Sequence, residues 1–162
     1  MSTTTSVTSI NQLAVAFGDR FATALVTHSI DLLRVSTGLV FFCFGVFKFV
    51  PGMSPAEPLV VRTLDALSFG LVPAPAALLI TAVLETFIGL TLMSGRLLKA
   101  GLVVLAGAMV GIMSPIVLFA DDLFSNGPTL EAQYILKDIV LVAAASVIAA
   151  KTLGARLVIS PH

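Results

Sequence analysis

The sequence predicts an all-α fold: a polytopic membrane four-helix bundle with an N-terminal amphipathic helix and a short outer-face helix in the first loop. Of its 162 residues, 57% are hydrophobic and 11% are charged, whereas a soluble domain carries roughly 25% charged residues. The mean hydropathy is +1.07. A water-soluble core cannot hide this much apolar surface in so short a chain, so lipid must cover much of it.

The N-terminal region is expected to contain a tail and a surface helix. Residues 1–9 form a polar Ser/Thr tract without the basic start of a signal peptide, and we expect them to be disordered. Residues 10–28 are expected to form an amphipathic interfacial helix. Its apolar residues recur at helical spacing, and they are Ile10, Leu13, Ala14, Phe17, Phe21 and Leu25.

The transmembrane domain is expected to cover residues 29–153, and residues 154–162 to form a cytoplasmic tail. Four apolar stretches each approach the roughly 20 residues that a helix needs to cross a bilayer. They cover about residues 30–50, 75–93, 97–119 and 133–153. Pro115 predicts a kink in the third stretch. The fourth is the weakest case, because Lys137 and Asp138 must lie at or just inside its boundary.

The loop between the first two spans predicts a short helix on the outer face. Ser54 and Glu57 have the spacing of a capping box, although Pro58 could move the start of the helix to Glu57. The helix could rest in the headgroups or act as a lid over a cavity. We favour the surface helix, because nothing in the sequence indicates motion.

The distribution of charge predicts that both termini are cytoplasmic. Basic residues mark the cytoplasmic face of a membrane protein, and on one side they are Arg20, Arg96, Lys99, Lys151 and Arg156. The opposite side has Arg62 together with the acidic residues Glu57, Asp65, Asp121, Asp122 and Glu131. The formal net charge is zero, so the chain has no basic footprint for nucleic acid.

Ionisable residues inside the spans are the first candidates for function, because a charge in the bilayer is expensive and seldom lacks a partner. Glu85 lies near the middle of the second span, and Arg34 and Lys48 lie in the first. With Asp138 they are expected to form a buried charged network. At their expected depths a Lys48–Asp138 pair is the easiest to build, and Arg34 could reach Glu85 from the cytoplasmic side.

Several other residues are candidates for lining a ligand site. In the first span Arg34 and Lys48 share one stripe with two glycines, and in the second Glu85 shares its face with a threonine and a glycine. The candidates are Gly38, Gly45, Thr81, Gly89, Tyr134 and Lys137. Each also has a structural interpretation: the glycines as packing positions, Tyr134 as an interface anchor and Lys137 as a snorkelling residue.

Few residue types suited to redox chemistry are present. Cys43 is the only cysteine, which excludes an internal disulfide, a CxxC pair and a cysteine metal cage. The only histidines are His28 and His162, which excludes a haem held by paired intramembrane histidines. We therefore expect no metal site and no intrinsic cofactor, so that redox chemistry would need a diffusible cofactor or a partner protein.

The order of these motifs resembles the DoxX family of bacterial membrane proteins. The resemblance rests on residues 34–38 and 44–57, on Glu85 with Gly89, and on residues 133–138, which open the last helix. It implies a four-helix plasma-membrane protein, with relatives in quinone-linked oxidoreductases and in a complex for oxidative stress. The residues that the family shares correspond here to Arg34, Gly38, Gly45, Lys48 and Glu85.

Three functions follow as hypotheses. The first is a redox-associated subunit that exchanges electrons or protons with quinone through a partner. Besides the lipid bilayer, the expected partner is an oxidoreductase or a second copy of the chain in a homo-oligomer. The second is a non-catalytic scaffold or chaperone for a partner enzyme, in which the buried charges only fix helix register. The third is a small-solute transporter, which ranks last because broken half-helices are its usual signal and only the Ser114–Pro115 step resembles one.

Overall fold

The structure, a computed structural model, describes the backbone of residues 3–158 and the side chains of residues 16–158. Within that range the regular secondary structure consists of helices, and no β-strand is present. The helices are α1 Thr3–Lys48, α2 Glu57–Leu67, α3 Ala74–Ser94, α4 Leu98–Met113, α5 Pro115–Leu118, α6 Ala120–Phe124 and α7 Leu130–Thr152.

Helix α1 is one continuous helix of 46 residues, about 69 Å long at 1.5 Å per residue. The sequence divided this region into a disordered tail, an interfacial helix and a span, but the backbone continues unbroken from Thr3 to Lys48. The physical reason is that residues 3–48 contain no proline. Residues 1–2 of the expected tail, and the side chains of Ile10, Leu13 and Ala14, lie outside the described parts of the structure.

Three helices in the described part of the chain are long and apolar enough to cross a membrane: Ala16–Lys48, Ala74–Ser94 and Leu98–Leu118. This indicates a membrane protein. Helix α7 matches the expected fourth stretch and has 23 residues, but it also carries four charged residues. A fourth span therefore stays a prediction.

Helices α1 and α3 approach each other most closely at their glycines, and their apolar faces continue into one core with α4 and α7. That core consists of Phe41, Ile88, Leu92, Leu105, Met109 and Ile148. In a second cluster, Leu123, Ala132 and Ile135 pack against partly buried residues that include Leu59 of α2. Cys43 is exposed, as expected for the face of α1 that points away from this core.

The third apolar stretch is interrupted where proline predicted a kink. Helix α4 ends at Met113, and α5 begins at Pro115. Pro115 has no backbone N–H and cannot continue the helical hydrogen-bond ladder. The Ser114 hydroxyl donates to the carbonyl of Gly111 at 2.7 Å, so a side chain from the interrupted turn bonds back to the preceding helix.

Helix α2 forms where the sequence predicts it, but the predicted capping box of Ser54 and Glu57 is absent. The N-cap is Ala56, without a side-chain cap, and the Glu57 carboxylate instead accepts from the backbone N–H of Gly52 at 2.8 Å. Pro58 in the first turn moves the start to Glu57, the alternative noted in the sequence. This leaves the Ser54 hydroxyl buried and without a hydrogen-bond partner among the described residues.

Candidate functional site

An ion pair between Lys48 and Glu85 joins the C-terminal end of α1 to the middle of α3. The Lys48 Nζ lies 2.6 Å from the Glu85 Oε2, and only 2% and 8% of the two side chains are exposed. Ion pairs of this kind gain from the low dielectric of their surroundings, while removal of one partner leaves an uncompensated buried charge. The pair is therefore closed off from solvent and lipid on both helices.

The direction of the Lys48 side chain explains why it meets Glu85. Side chains on a helix tilt toward its N-terminus, and the Lys48 amine returns along α1 to within 3.4 Å of the Phe44 carbonyl, to which it donates. The amine consequently lies deeper than the Lys48 backbone. The expected Lys48–Asp138 pair is wrong for this reason, because the Lys48 amine does not lie at the depth of its own backbone.

Asp138 of α7 lies near this pair without joining it. It is half-buried and close enough to interact electrostatically with both Lys48 and Glu85. No ion pair to Asp138 exists among the described side chains. Three ionisable groups on α1, α3 and α7 thus form one cluster, in which two groups are bonded and the third is adjacent.

Arg34 has a different partner from the one expected. Its guanidinium donates to the carbonyls of Leu92 and Met93, the latter at 3.2 Å, and it lies 3.7 Å from the Asp31 carboxylate. These carbonyls belong to the last turn of α3, whose final four C=O groups lack partners within the helix. Arg34 therefore caps the C-terminal end of α3 and does not reach Glu85.

Asp31, which the sequence patterns did not indicate as a site residue, links α1 to α7 beside the Arg34 cap. Its carboxylate lies 3.0 Å from the Nζ of Lys151 on α7 and also contacts Arg34. The i,i+3 spacing of Asp31 and Arg34 was the available signal, since residues three apart are neighbours on a helix surface. The link to Lys151 depends on how α7 docks and has no local sequence pattern.

Replacing Arg34 with methionine is expected to lower the stability of the helix bundle by about 1–3 kcal/mol, because buried carbonyls lose a charged donor. The measurement is reversible unfolding of the purified chain in mixed micelles. Arg96→Met, at an exposed basic position in the next turn, is the matched control and should change stability little. Equal effects of both substitutions would contradict the capping role.

The glycines and the threonine that were expected to line a ligand site are engaged in helix contacts and in a hydrogen bond within α3. A Cβ atom on Gly38 would lie 2.8 Å from the Met93 backbone nitrogen, and one on Gly45 would lie 2.6 Å from that of Thr86. Gly89 meets Phe42 in the same way. The Thr81 hydroxyl donates to the Ala77 carbonyl at 2.8 Å. The three glycines bring α1 and α3 together and leave little room for a ligand at that interface, whereas the Thr81 bond lies within α3.

Tyr134 and Lys137 form an exposed pair on α7. The Lys137 Nζ lies 3.6 Å from the centroid of the Tyr134 ring, and 47% of Tyr134 is exposed. By helical periodicity Lys137 shares a stripe with Ala144 and Ile148, which are buried lower in α7. The stripe is therefore buried toward the C-terminal end of α7 and exposed beside Asp138.

The arrangement can hold helices together and can exchange protons between carboxylates, but lysine, glutamate and aspartate supply no redox-active group. On the α7 side of the cluster, Tyr134 and Lys137 are exposed and Asp138 is half-buried, so a ligand could approach there. Comparison with protein-family models, with curated proteins and with solved structures finds no match to this chain. The contacts among Lys48, Glu85 and Asp138 are therefore the main indication of function.

Proposed function

We propose that this chain is a DoxX-type subunit of the bacterial plasma membrane: a non-catalytic four-helix scaffold for a partner oxidoreductase. Helix α7 is the fourth span in this proposal, and both termini are cytoplasmic. The basic residues Arg96, Lys99 and Lys151 support that orientation, since positive charge favours the cytoplasmic side.

The closed Lys48–Glu85 pair is the observation that carries the scaffold role. Both side chains are almost fully buried, and atoms of the opposing helix occupy the space beside the nearby glycines. A charge pair in this setting fixes the register of two helices, since any slip would separate the charges. A rigid α1–α3 unit of this kind suits a subunit that positions a partner.

A second candidate function is quinone-linked proton exchange, and Asp138 favours it. This carboxyl lies beside the buried pair without an ion-pair partner of its own within the described residues. Tyr134 and Lys137 next to it could stack on a quinone ring and donate to its carbonyl. Intramembrane ionisable groups often mark proton or ligand paths. A transporter role remains third, supported only by the break at Ser114.

Replacement of Glu85 with glutamine separates the two functions. For a scaffold, we expect the membrane abundance of the chain and its co-purified oxidoreductase to fall several-fold, while quinone reduction per recovered complex is unchanged. The reason is that glutamine weakens the bond to Lys48 without touching a reaction. Glu131→Gln, at an exposed position on α7, is the matched control.

The contrary result is a normal amount of complex with lost turnover. That outcome would reject the scaffold and support proton exchange through the cluster. Asp138→Asn then gives the second readout: in the quinone-linked function it should weaken binding of a menaquinone analogue to the reconstituted chain, whereas a scaffold should bind no analogue with or without Asp138.

A further inference from the structure

A cavity on the outer face has no part in the scaffold role. Its volume is about 650 Å³, within the roughly 300–1,000 Å³ of small-molecule sites. It lies between the turn after α1, helix α2 and the start of α3, and its lining includes Ser54, Glu57, Arg62 and Asp65. It is a shallow depression with a wide opening, so a ligand can enter without a conformational change.

The cavity has both signs of charge on its wall. The Asp65 carboxylate has no ion pair among the described side chains, and Glu57 uses one carboxylate oxygen for Gly52. Both can accept hydrogen bonds from a cation. The wall therefore offers acceptors for an ammonium group along one side of α2.

Arg62 supplies the positive charge. It bonds to the Asp122 carboxylate at 2.5 Å and remains 54% exposed, while its guanidinium carbon lies 3.8 Å from the centroid of the Phe119 ring. These contacts hold the group in place, and a guanidinium has five N–H donors. Several donors remain for an anion at the mouth of the cavity, and phosphate suits their geometry.

The Ser54 hydroxyl gives an independent indication of a polar ligand. Ser54 is only 5% exposed, and its hydroxyl has no hydrogen-bond partner in the described part of the chain. A buried polar group without a partner is unfavourable, and this residue lines the cavity. A polar occupant would supply the missing bond.

The position of the cavity places it at the depth of lipid headgroups. It lies at the ends of the apolar helices α1 and α3, at Gly52 and Ala74. The adjoining loops expose large apolar side chains, including 54% of Met53, 92% of Phe69 and 82% of Leu71. Exposed apolar side chains clustered in this way mark a site of membrane contact, which favours a position of the opening near the lipid headgroups.

We propose that this cavity binds a phosphoethanolamine group, with its ammonium on Asp65 and Glu57 and its phosphate on Arg62. An aminophospholipid of the outer leaflet is the expected source. Phosphatidylcholine has the same phosphate, but its trimethylammonium group has no N–H to donate. The ammonium side of the cavity therefore discriminates between the two lipids.

The test is native mass spectrometry of the full chain released from nanodiscs that contain equal amounts of phosphatidylethanolamine and phosphatidylcholine. We expect retained phosphatidylethanolamine to exceed phosphatidylcholine, and Asp65→Asn to reduce that preference by about tenfold, as for the loss of one charged hydrogen bond. Asp121→Asn is the control, because Asp121 is an exposed acidic residue of the same face outside the cavity lining.

Equal retention of the two lipids, or an unchanged preference in Asp65→Asn, would overturn the proposal. Thermal unfolding in detergent with soluble phosphoethanolamine distinguishes the sources. Stabilisation that disappears in Asp65→Asn assigns the site to the free compound as well. If only the intact lipid binds, with its preference dependent on Asp65, the lipid is the ligand.

Discussion

Lys48→Met is expected to destabilise the chain by about 3–5 kcal/mol, the effect of removing one partner from a buried ion pair. Glu85 would then be left inside the α1–α3 interface, where only 8% of its side chain is exposed. Methionine fills nearly the same volume as lysine, so the loss measures charge rather than packing. The measurement is reversible unfolding of the purified chain in mixed micelles.

The double substitution Lys48→Met with Glu85→Met is expected to recover much of this loss, because no buried charge then lacks a partner. The exposed Arg62–Asp122 pair, with 54% and 61% of its side chains exposed, provides the control. Breaking it with Asp122→Asn should change stability by only about 0–1 kcal/mol. Equal losses at the two pairs would show that Lys48 and Glu85 are not a buried pair.

Gly89→Ala is expected to cost about 3 kcal/mol, at the upper end of the range for overpacked interiors. A Cβ at this position would lie 2.5 Å from the backbone nitrogen of Phe42, which cannot move without shifting α1. The two helices must therefore separate, and the Lys48–Glu85 bond would lengthen with them. The same unfolding experiment measures this loss.

Gly107→Ala is the matched control for Gly89→Ala. Both glycines lie inside apolar helices, but a Cβ on Gly107 meets nothing within 4 Å. We expect an unchanged stability, or a gain of up to about 1 kcal/mol from the higher helix propensity of alanine. If the two substitutions have the same effect, close approach of α1 and α3 at Gly89 is excluded.

These substitutions also bear on the proposed scaffold. The ion pair, the glycine contacts and the Arg34 cap all join α1 to α3. Loss of any one should therefore lower the amount of assembled complex in proportion to the loss of stability. A variant that assembles poorly but retains full stability would indicate a direct contact with the partner instead.

Much of the helical organisation could be predicted from the sequence because it depends on local patterns. Apolar runs of sufficient length located α3 and α4, Pro115 located the break between α4 and α5, and helical periodicity placed Cys43 away from the core. That the N-terminal region and the first span form one unbroken helix could not be predicted in this way. Amphipathic and apolar segments can share one helix when no proline separates them.

The partners of the charged residues were harder to predict. Helical periodicity correctly grouped Arg34 and Lys48 on the inward stripe of α1, since the angle of a residue around the helix axis depends only on residue spacing. It could not show that the Lys48 amine turns back to Glu85, or that Arg34 meets the last carbonyls of α3. Long side chains reach across more than one helical turn, so their partners depend on how neighbouring helices are placed.

The sequence by itself determined that this protein is helical and largely apolar, and which residues would be expensive to leave unpaired in lipid. Its composition and spacing are sufficient for that, because the energies involved act on each residue and its near neighbours. Only the tertiary structure decided that Glu85 bonds to Lys48, that three glycines serve helix contact, and that Ser54 borders a cavity. Those outcomes depend on the distance between helices, which no local pattern contains.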